Sequence, residues 1–275
     1  MQDFIVQYGA WIAAMAATGI AAGFVAGLLG VGGGIVIVPV LDAVLGAFDV
    51  DISIRMKVAV ATSLATIVAT SWASARSHRQ HKAVDFELLK TWGPAIFAGV
   101  VLGNLLAGLV DGRVLTLVFA ITALLVAGNM ILRADSHKLR DGFPNPIVKA
   151  GLGVVVGLIS AMMGIGGGTL SVPILTAFGT DIRRAVGTAS AIGFIIAIPG
   201  AIGYIIAGWN VSGLPPFSLG FVNVAALVAI IPLSMLTAPF GARAAHALPR
   251  RVLAYGFGAF LILTSAKMFF TLLSS

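Results

Sequence analysis

The sequence contains no cysteine. That excludes disulfides, thiolate metal centres and cysteine nucleophiles, without identifying a compartment. Charge is scarce as well: Asp, Glu, Lys and Arg make up 10% of the chain, against about a quarter in a water-soluble domain. Hydrophobic residues make up 59%, and the mean hydropathy is +1.06. A soluble fold is excluded, and an all-α polytopic membrane protein is expected. The N-terminal run MQDFIVQYGAW has an acid and no basic residue. That is wrong for a signal peptide, so the segment is expected to remain in the mature protein.

Catalytic equipment is also missing. His78, His81, His137 and His246 fall in loops or at interfaces and share no metal-ligand spacing with a carboxylate. No Ser/His/Asp set can be placed at one depth. Gly27-x-x-Gly30-x-Gly32 lacks the lysine and serine of a phosphate-binding loop, and no short strand precedes it. No enzymatic activity, metal or cofactor is expected. Of the ten acidic residues Glu87 stands at the very start of an apolar segment and only Asp42 lies deeper inside one, near its outer end, where Thr176 replaces it in the second half. A proton-coupled carrier usually shows an intramembrane carboxylate, so Asp42 is the candidate proton site.

What the chain does contain, it contains twice. Gly19 to Leu41 reads GIAAGFVAGLLGVGGGIVIVPVL, and Gly153 to Leu175 reads GVVVGLISAMMGIGGGTLSVPIL. The offset is constant, since 153 − 19 and 173 − 39 both give 134. Each copy carries small residues four apart (Gly19, Gly23, Gly27; Gly153, Gly157, Ala161), which let helices approach closely. Each then carries a glycine triplet (Gly32, Gly33, Gly34; Gly166, Gly167, Gly168) and a proline, Pro39 or Pro173. A glycine costs a helix about 1 kcal/mol relative to alanine. A triplet at membrane depth is therefore expected to be an unwound, cavity-lining backbone.

Apolar segments fall at 8–29, 35–48, 56–75, 86–109 and 112–132, then at 146–163, 169–179, 183–207, 221–242 and 250–272. Spanning the bilayer takes about 20 residues. The segments after the triplets are shorter, and each glycine-centred pair reads as a broken hairpin or as a short, tilted crossing. The repeat continues: KVAVATSLAT (57–66) lies over RRAVGTASAI (183–192) at 183 − 57 = 126, and Pro94 and Gly103 lie over Pro232 and Gly241 at 138. Two repeats of five segments follow, residues 1–143 and 144–275. An odd number turns the second over, an inverted repeat.

Charge points the same way. Loops 74–82, 133–149 and 242–251 are basic, whereas 209–220 has no charge. With the basic loops in the cytoplasm, only Arg55, Lys57, Arg113 and Lys267 of the 17 Lys and Arg lie outside or at the outer interface. Both termini then lie outside. Basic loops beside membrane segments need only anionic lipid, so no nucleic-acid partner is expected. A homo-oligomer is compatible with the sequence.

A helix restarting at Ile35 or Thr169 presents unpaired N–H groups and a positive dipole end, which suit an anion. The prolines remove the N–H groups that would bond the Ile35 and Thr169 carbonyls, which would suit a coupling cation. Segment 56–75 carries Thr62, Thr66, Thr70 and Ser74 on one helix face, with Ser63 and Ser71 beside it. Such hydroxyls commonly bond their own helix and aid packing. The matched pair Thr62 and Thr188, with Ser63 and Ser190, is open to either reading, packing or cavity lining.

The doubled motif G-x-x-x-G-x-x-x-[GA]-x-x-G-x-G-G-G-x-x-x-x-P-x-L, each copy followed by an Ala-x-[AG]-Thr stretch, resembles the TauE/SafE family of sulfite and organosulfonate exporters. The resemblance covers essentially the whole chain. It implies an inner-membrane carrier of small sulfur-containing anions without a prosthetic group, the signature falling on Gly32–Gly34 and Pro39 and on Gly166–Gly168 and Pro173. The expected mechanism is export by alternating access, with the anion held by the glycine backbones and by Thr62, Ser63, Thr188 and Ser190. An ion-coupled importer of the same anions, and a channel-like pore or membrane scaffold, are the alternatives.

Overall fold

A computed structural model describes residues 2–29, 33–80, 82–132, 140–247 and 249–274. Gly32, the first glycine of the first triplet, lies outside the described residues, as does the 133–139 portion of the basic loop. The order is α1 (Gln2–Leu29), α2 (Gly34–Ala47), α3 (Ile52–Gln80), α4 (Phe86–Leu109), α5 (Gly112–Leu132), α6 (Pro146–Met163), α7 (Gly167–Ala177), α8 (Ile182–Ala207), β1 (Ser218–Leu219), β2 (Val222–Asn223), α9 (Val224–Ala247) and α10 (Arg250–Leu273). Eight of these helices are long and apolar enough to cross a membrane. The chain is an all-α, multi-pass membrane protein. The small hairpin pairs Ser218 with Asn223 and Leu219 with Val222.

The two exceptions in length follow the glycines. With 14 and 11 residues, α2 and α7 are about 21 and 16 Å long at 1.5 Å per residue. Both fall short of the roughly 30 Å hydrocarbon core. Gly164 ends α6 in the left-handed conformation, φ +67°, which glycine adopts without a Cβ clash. Gly33 and Gly166 then serve as caps of α2 and α7 with no side-chain hydrogen bond.

Small residues decide which helices touch. A Cβ on Gly19 would meet the Ile230 backbone at 3.0 Å, and one on Gly23 would run into Thr237 and Ser234, which joins α1 to α9. In the other half, Gly153 faces Trp92 and Ala95, and Gly157 the Ile96 carbonyl, which joins α6 to α4. The pairs are reciprocal: Gly153 − 134 is Gly19 and Ile230 − 138 is Trp92. Gly103 faces the Leu158 carbonyl just as Gly241 faces that of Phe24.

The helix starts obey the same rule. Asp85 caps α4, its Oδ1 accepting from the Leu88 N–H at 3.0 Å, and Asn223 caps α9, accepting from Ala226 at 2.8 Å. The Asp85 N–H donates to Thr188 Oγ1, and the Asn223 N–H to Thr62 Oγ1, both at 2.9 Å. Subtracting 138 from Asn223 and Ala226 gives Asp85 and Leu88. The long helices α3 and α8 pack on each other and hold these joints at opposite ends of the shared contact.

Candidate substrate cavity at the two glycine breaks

The two breaks touch. A Cβ on Gly34 would run into the Gly164 carbonyl and stand 3.0 Å from the Ile165 Cα. The Ser63 hydroxyl donates to the same Gly164 carbonyl at 2.7 Å, so α3 holds the second break in place. On the far side Gly167 is pressed on α8, where an added Cβ would lie 2.6 Å from the Ala189 carbonyl. Ile67 at the middle of α3 is within reach of both breaks, 2.8 Å from a Cβ on Gly34 and 3.5 Å from one on Gly166.

A cavity of about 530 Å³ opens beside this junction. Gly33 and Gly166–Gly168 line it, with Ala22, Gly23 and Ala26 of α1, Ile37 of α2, and Ser234, Met235, Ala238 and Pro239 of α9. Its polar wall comes from α3 and α8: Thr70, Ser71, Ser74, His78 and Ser190. Ser74 and Ser190 hydroxyls meet at 3.0 Å, and Ser190 also donates to the Val186 carbonyl at 3.0 Å. Among the described lining residues His78 is the one with an ionisable side chain. The cavity therefore offers hydroxyls, glycine backbone and the uncapped starts of two short helices. Amide groups at a helix start favour negative charge, and an exposed glycine backbone lets it approach.

The structure divides the sequence-expected site. Gly33, Gly166, Gly167, Gly168 and Ser190 line the cavity. Gly34 is instead the packing surface between the breaks. The helices begin at Gly34 and Gly167, one and two residues earlier than expected. That carries Ile35 and Thr169 into helix, where they are 0% and 2% exposed and do not line the cavity. Thr62 and Thr188 are fully buried and absent from the cavity lining, each accepting from a backbone N–H at a helix start. Ser63 acts on the second break from outside the cavity. Pro39 and Pro173 lie within α2 and α7, where the bonds to the Ile35 and Thr169 carbonyls cannot form.

Asp42 is placed elsewhere. Its carboxylate accepts from Arg55 Nε at 2.8 Å with both side chains largely buried, and it borders a separate groove between α2 and α10 with Lys267. The pair joins α2 to α3, and Asp42 is not among the residues that line the glycine cavity. What sequence reasoning missed was the part played by Ser71, His78 and Ser234. The hydroxyl stripe held the signal for Thr70 and Ser74. Thr66 and Thr70 do bond back to the Thr62 and Thr66 carbonyls, so on this face back-bonding and cavity lining coexist.

A bundle with paired glycine-broken hairpins beside an open, largely apolar cavity with a hydroxyl-bearing wall is the build of a membrane transporter. The sequence model of the family described as sulfite exporter TauE/SafE matches residues 15–268, and the chain belongs to that family. A "probable membrane transporter protein" of Haemophilus influenzae is 35% identical over 251 residues, covering 91% of this chain and 95% of its own length. Another so described, from Methanocaldococcus jannaschii, is 29% identical over 228 residues, covering 77% and 79%. A third, from Bacillus subtilis, is 29% identical over 209 residues, covering 69% and 77%. No solved structure matches. The chain is a membrane transporter, and not an enzyme.

Proposed function

We propose that this transporter exports small sulfur-containing anions, sulfite or organosulfonates such as sulfoacetate, from the cytoplasm across the inner membrane by alternating access. The observation that carries the reading is the cavity at the meeting point of both glycine breaks, where Gly33 and Gly166–Gly168 supply backbone and Ser74 and Ser190 supply hydroxyls. Such a site neutralises an anion without a lysine or arginine that would hold it too firmly to release. The two repeats, 1–143 and 144–275, enter from opposite faces in this reading, and both termini lie outside. The reciprocal contacts of α1 with α9 and α6 with α4 support that relation, and the basic loops support the orientation.

Direction follows from charge. An interior-negative potential drives each exported negative charge by about 2.3 kcal/mol per 100 mV, roughly fifty-fold in concentration. Export needs no coupled proton, and the removal of Asp42 from the cavity to an ion pair with Arg55 weakens the proton-coupled alternative.

The test is flux from proteoliposomes preloaded with sulfite, sulfoacetate, thiosulfate or sulfate, with and without a potassium diffusion potential, negative inside. Faster efflux of at least one sulfur anion at negative potential is expected, with stimulation by unlabelled anion on the far side. No flux above protein-free vesicles would overturn the substrate assignment. Flux without such stimulation would make the protein a pore.

A further inference from the structure

The residue-level reciprocity of the two halves gives every cavity position a counterpart, and the counterparts lie together. By the offsets 134 and 126, Ala26 corresponds to Ser160, Ile37 to Ser171, Ser71 to Ala197, Ser74 to Gly200, Ser190 to Leu64 and His78 to Tyr204. All six counterparts are buried. Where Ser74 and Ser190 meet in the cavity wall, Leu64 fills the space over Gly200, its Cδ1 3.0 Å from where a Cβ would stand. Where the cavity ends at His78, Tyr204 crosses to the neighbouring helix and donates to the Ala161 carbonyl at 3.3 Å. Its ring meets Phe221 edge-on at 6.4 Å between centroids.

The backbone at these two ends is the same. The Ala83 N–H donates to the His78 carbonyl at 3.0 Å, and the Phe221 N–H to the Tyr204 carbonyl at 3.3 Å. Phe221 − 138 is Ala83. One end thus carries histidine and alanine, the other tyrosine and phenylalanine. The Lys57 ammonium stands over the Phe221 ring at 5.5 Å, which places a cation beside the aromatic pair.

A second, independent observation marks the closed side. Among the described residues, three buried side-chain polar atoms have no hydrogen-bond partner: Ser160 Oγ, Ser171 Oγ, and Asn104 Oδ1. The first two are the counterparts of Ala26 and Ile37, which line the open cavity. A buried hydroxyl without a partner is costly and calls for an explanation. Two of them at symmetry-matched positions are explained if these side chains meet water in another state of the protein.

We propose that a second access path to the same glycine site runs between α3, α6, α7 and α8, lined by Ser160 and Ser171, and that it is shut in this structure by Tyr204 with Phe221 and by Leu64 on Gly200. It would take the same small anions, with Lys57 at its mouth. The proposal rests on the transport reading above and supplies its other gate.

The cysteine-free chain allows a direct test that requires no substrate. Ser74→Cys, Ser160→Cys and Ser171→Cys are made singly, reconstituted, and treated from each face with a charged, membrane-impermeant thiol reagent. Ser74→Cys is expected to react from one face. Ser160→Cys and Ser171→Cys are expected to react from the opposite face, slowly in the parent. Tyr204→Phe keeps the ring and loses the bond to Ala161, and should raise their rate about fivefold. Tyr204→Ala should raise it more. Reaction of all three positions from one face would overturn the path. So would complete protection of Ser160→Cys and Ser171→Cys in folded, transporting protein with Tyr204→Phe. Opposite-face reaction in a protein that moves none of the sulfur anions would leave the gate standing and sink the substrate assignment instead.

Discussion

Helices α3 and α8 hold equivalent places in the two halves and behave differently past their midpoints. Before those midpoints they match: Thr62 and Thr188 accept from Asn223 and Asp85 with the same 2.9 Å bond. Further along, α3 carries Thr70, Ser71, Ser74 and His78, and borders the cavity. The corresponding residues of α8 are Ile196, Ala197, Gly200 and Tyr204, all buried. The helix joints keep their threonines and an Asp or Asn cap because both halves need the same backbone geometry. The faces beyond them differ, and there one side borders a cavity and the other is packed shut.

The largest expected effect separates neighbouring glycines in one triplet. Gly34→Val drives side-chain atoms into the Gly164 carbonyl and Ile165 backbone, and should cost about 4 kcal/mol or more, seen as loss of monodisperse protein in detergent. Gly33→Ala meets the movable Ile37 Cδ1 at 3.2 Å and otherwise makes ordinary contacts of 3.6 Å or more, so the protein should fold and lose transport. Equal folding of both would mean that the breaks do not press on each other.

The next comparison sets Asp42 against Thr176, which bonds its own helix through the Val172 carbonyl at 2.9 Å. Asp42→Asn leaves a largely buried Arg55 unpaired and should destabilise by about 3 kcal/mol, measured as a lowered thermal midpoint. The pH dependence of flux in the surviving protein should be unchanged. Loss of that dependence would make Asp42 a proton carrier after all. Thr176→Val should cost less than about 1 kcal/mol.

The last comparison tests the matched joints. Thr62→Val and Thr188→Val each leave one backbone N–H without its acceptor, for about 1–3 kcal/mol apiece. The two losses should agree closely, with flux per folded protein retained. A selective loss of flux in either variant would return that threonine to the substrate path.

Much of the fold is legible in the chain because a bilayer makes the hydrophobic signal strong. The segments expected at 86–109, 112–132 and 146–163 coincide with α4, α5 and α6, two of them opening on side-chain caps at Asp85 and Asn145. The hairpin at 218–223 escaped notice, since two-residue strands carry no periodic pattern. Of the cavity lining, Gly33, Gly166–Gly168 and Ser190 are legible in the sequence. Thr62 and Thr188 were ambiguous because an internal repeat preserves a structural joint as faithfully as a binding group, and the letters alone do not separate them.

By itself the sequence determined the membrane class, the ten helical segments, the doubled glycine break and the family. Those follow from local quantities: apolar run length, helix-breaking glycine, and repeated spacing. Only the tertiary structure decided that Gly34 packs on Gly164 while Gly33 borders the cavity, that Asp42 belongs to Arg55, and that Ser71, His78 and Ser234 line one cavity. The α3 residues and Ser234 are more than 150 positions apart in the chain. Helix crossing points set by small residues bring them together, and those crossings are a property of pairs of helices that no single segment carries.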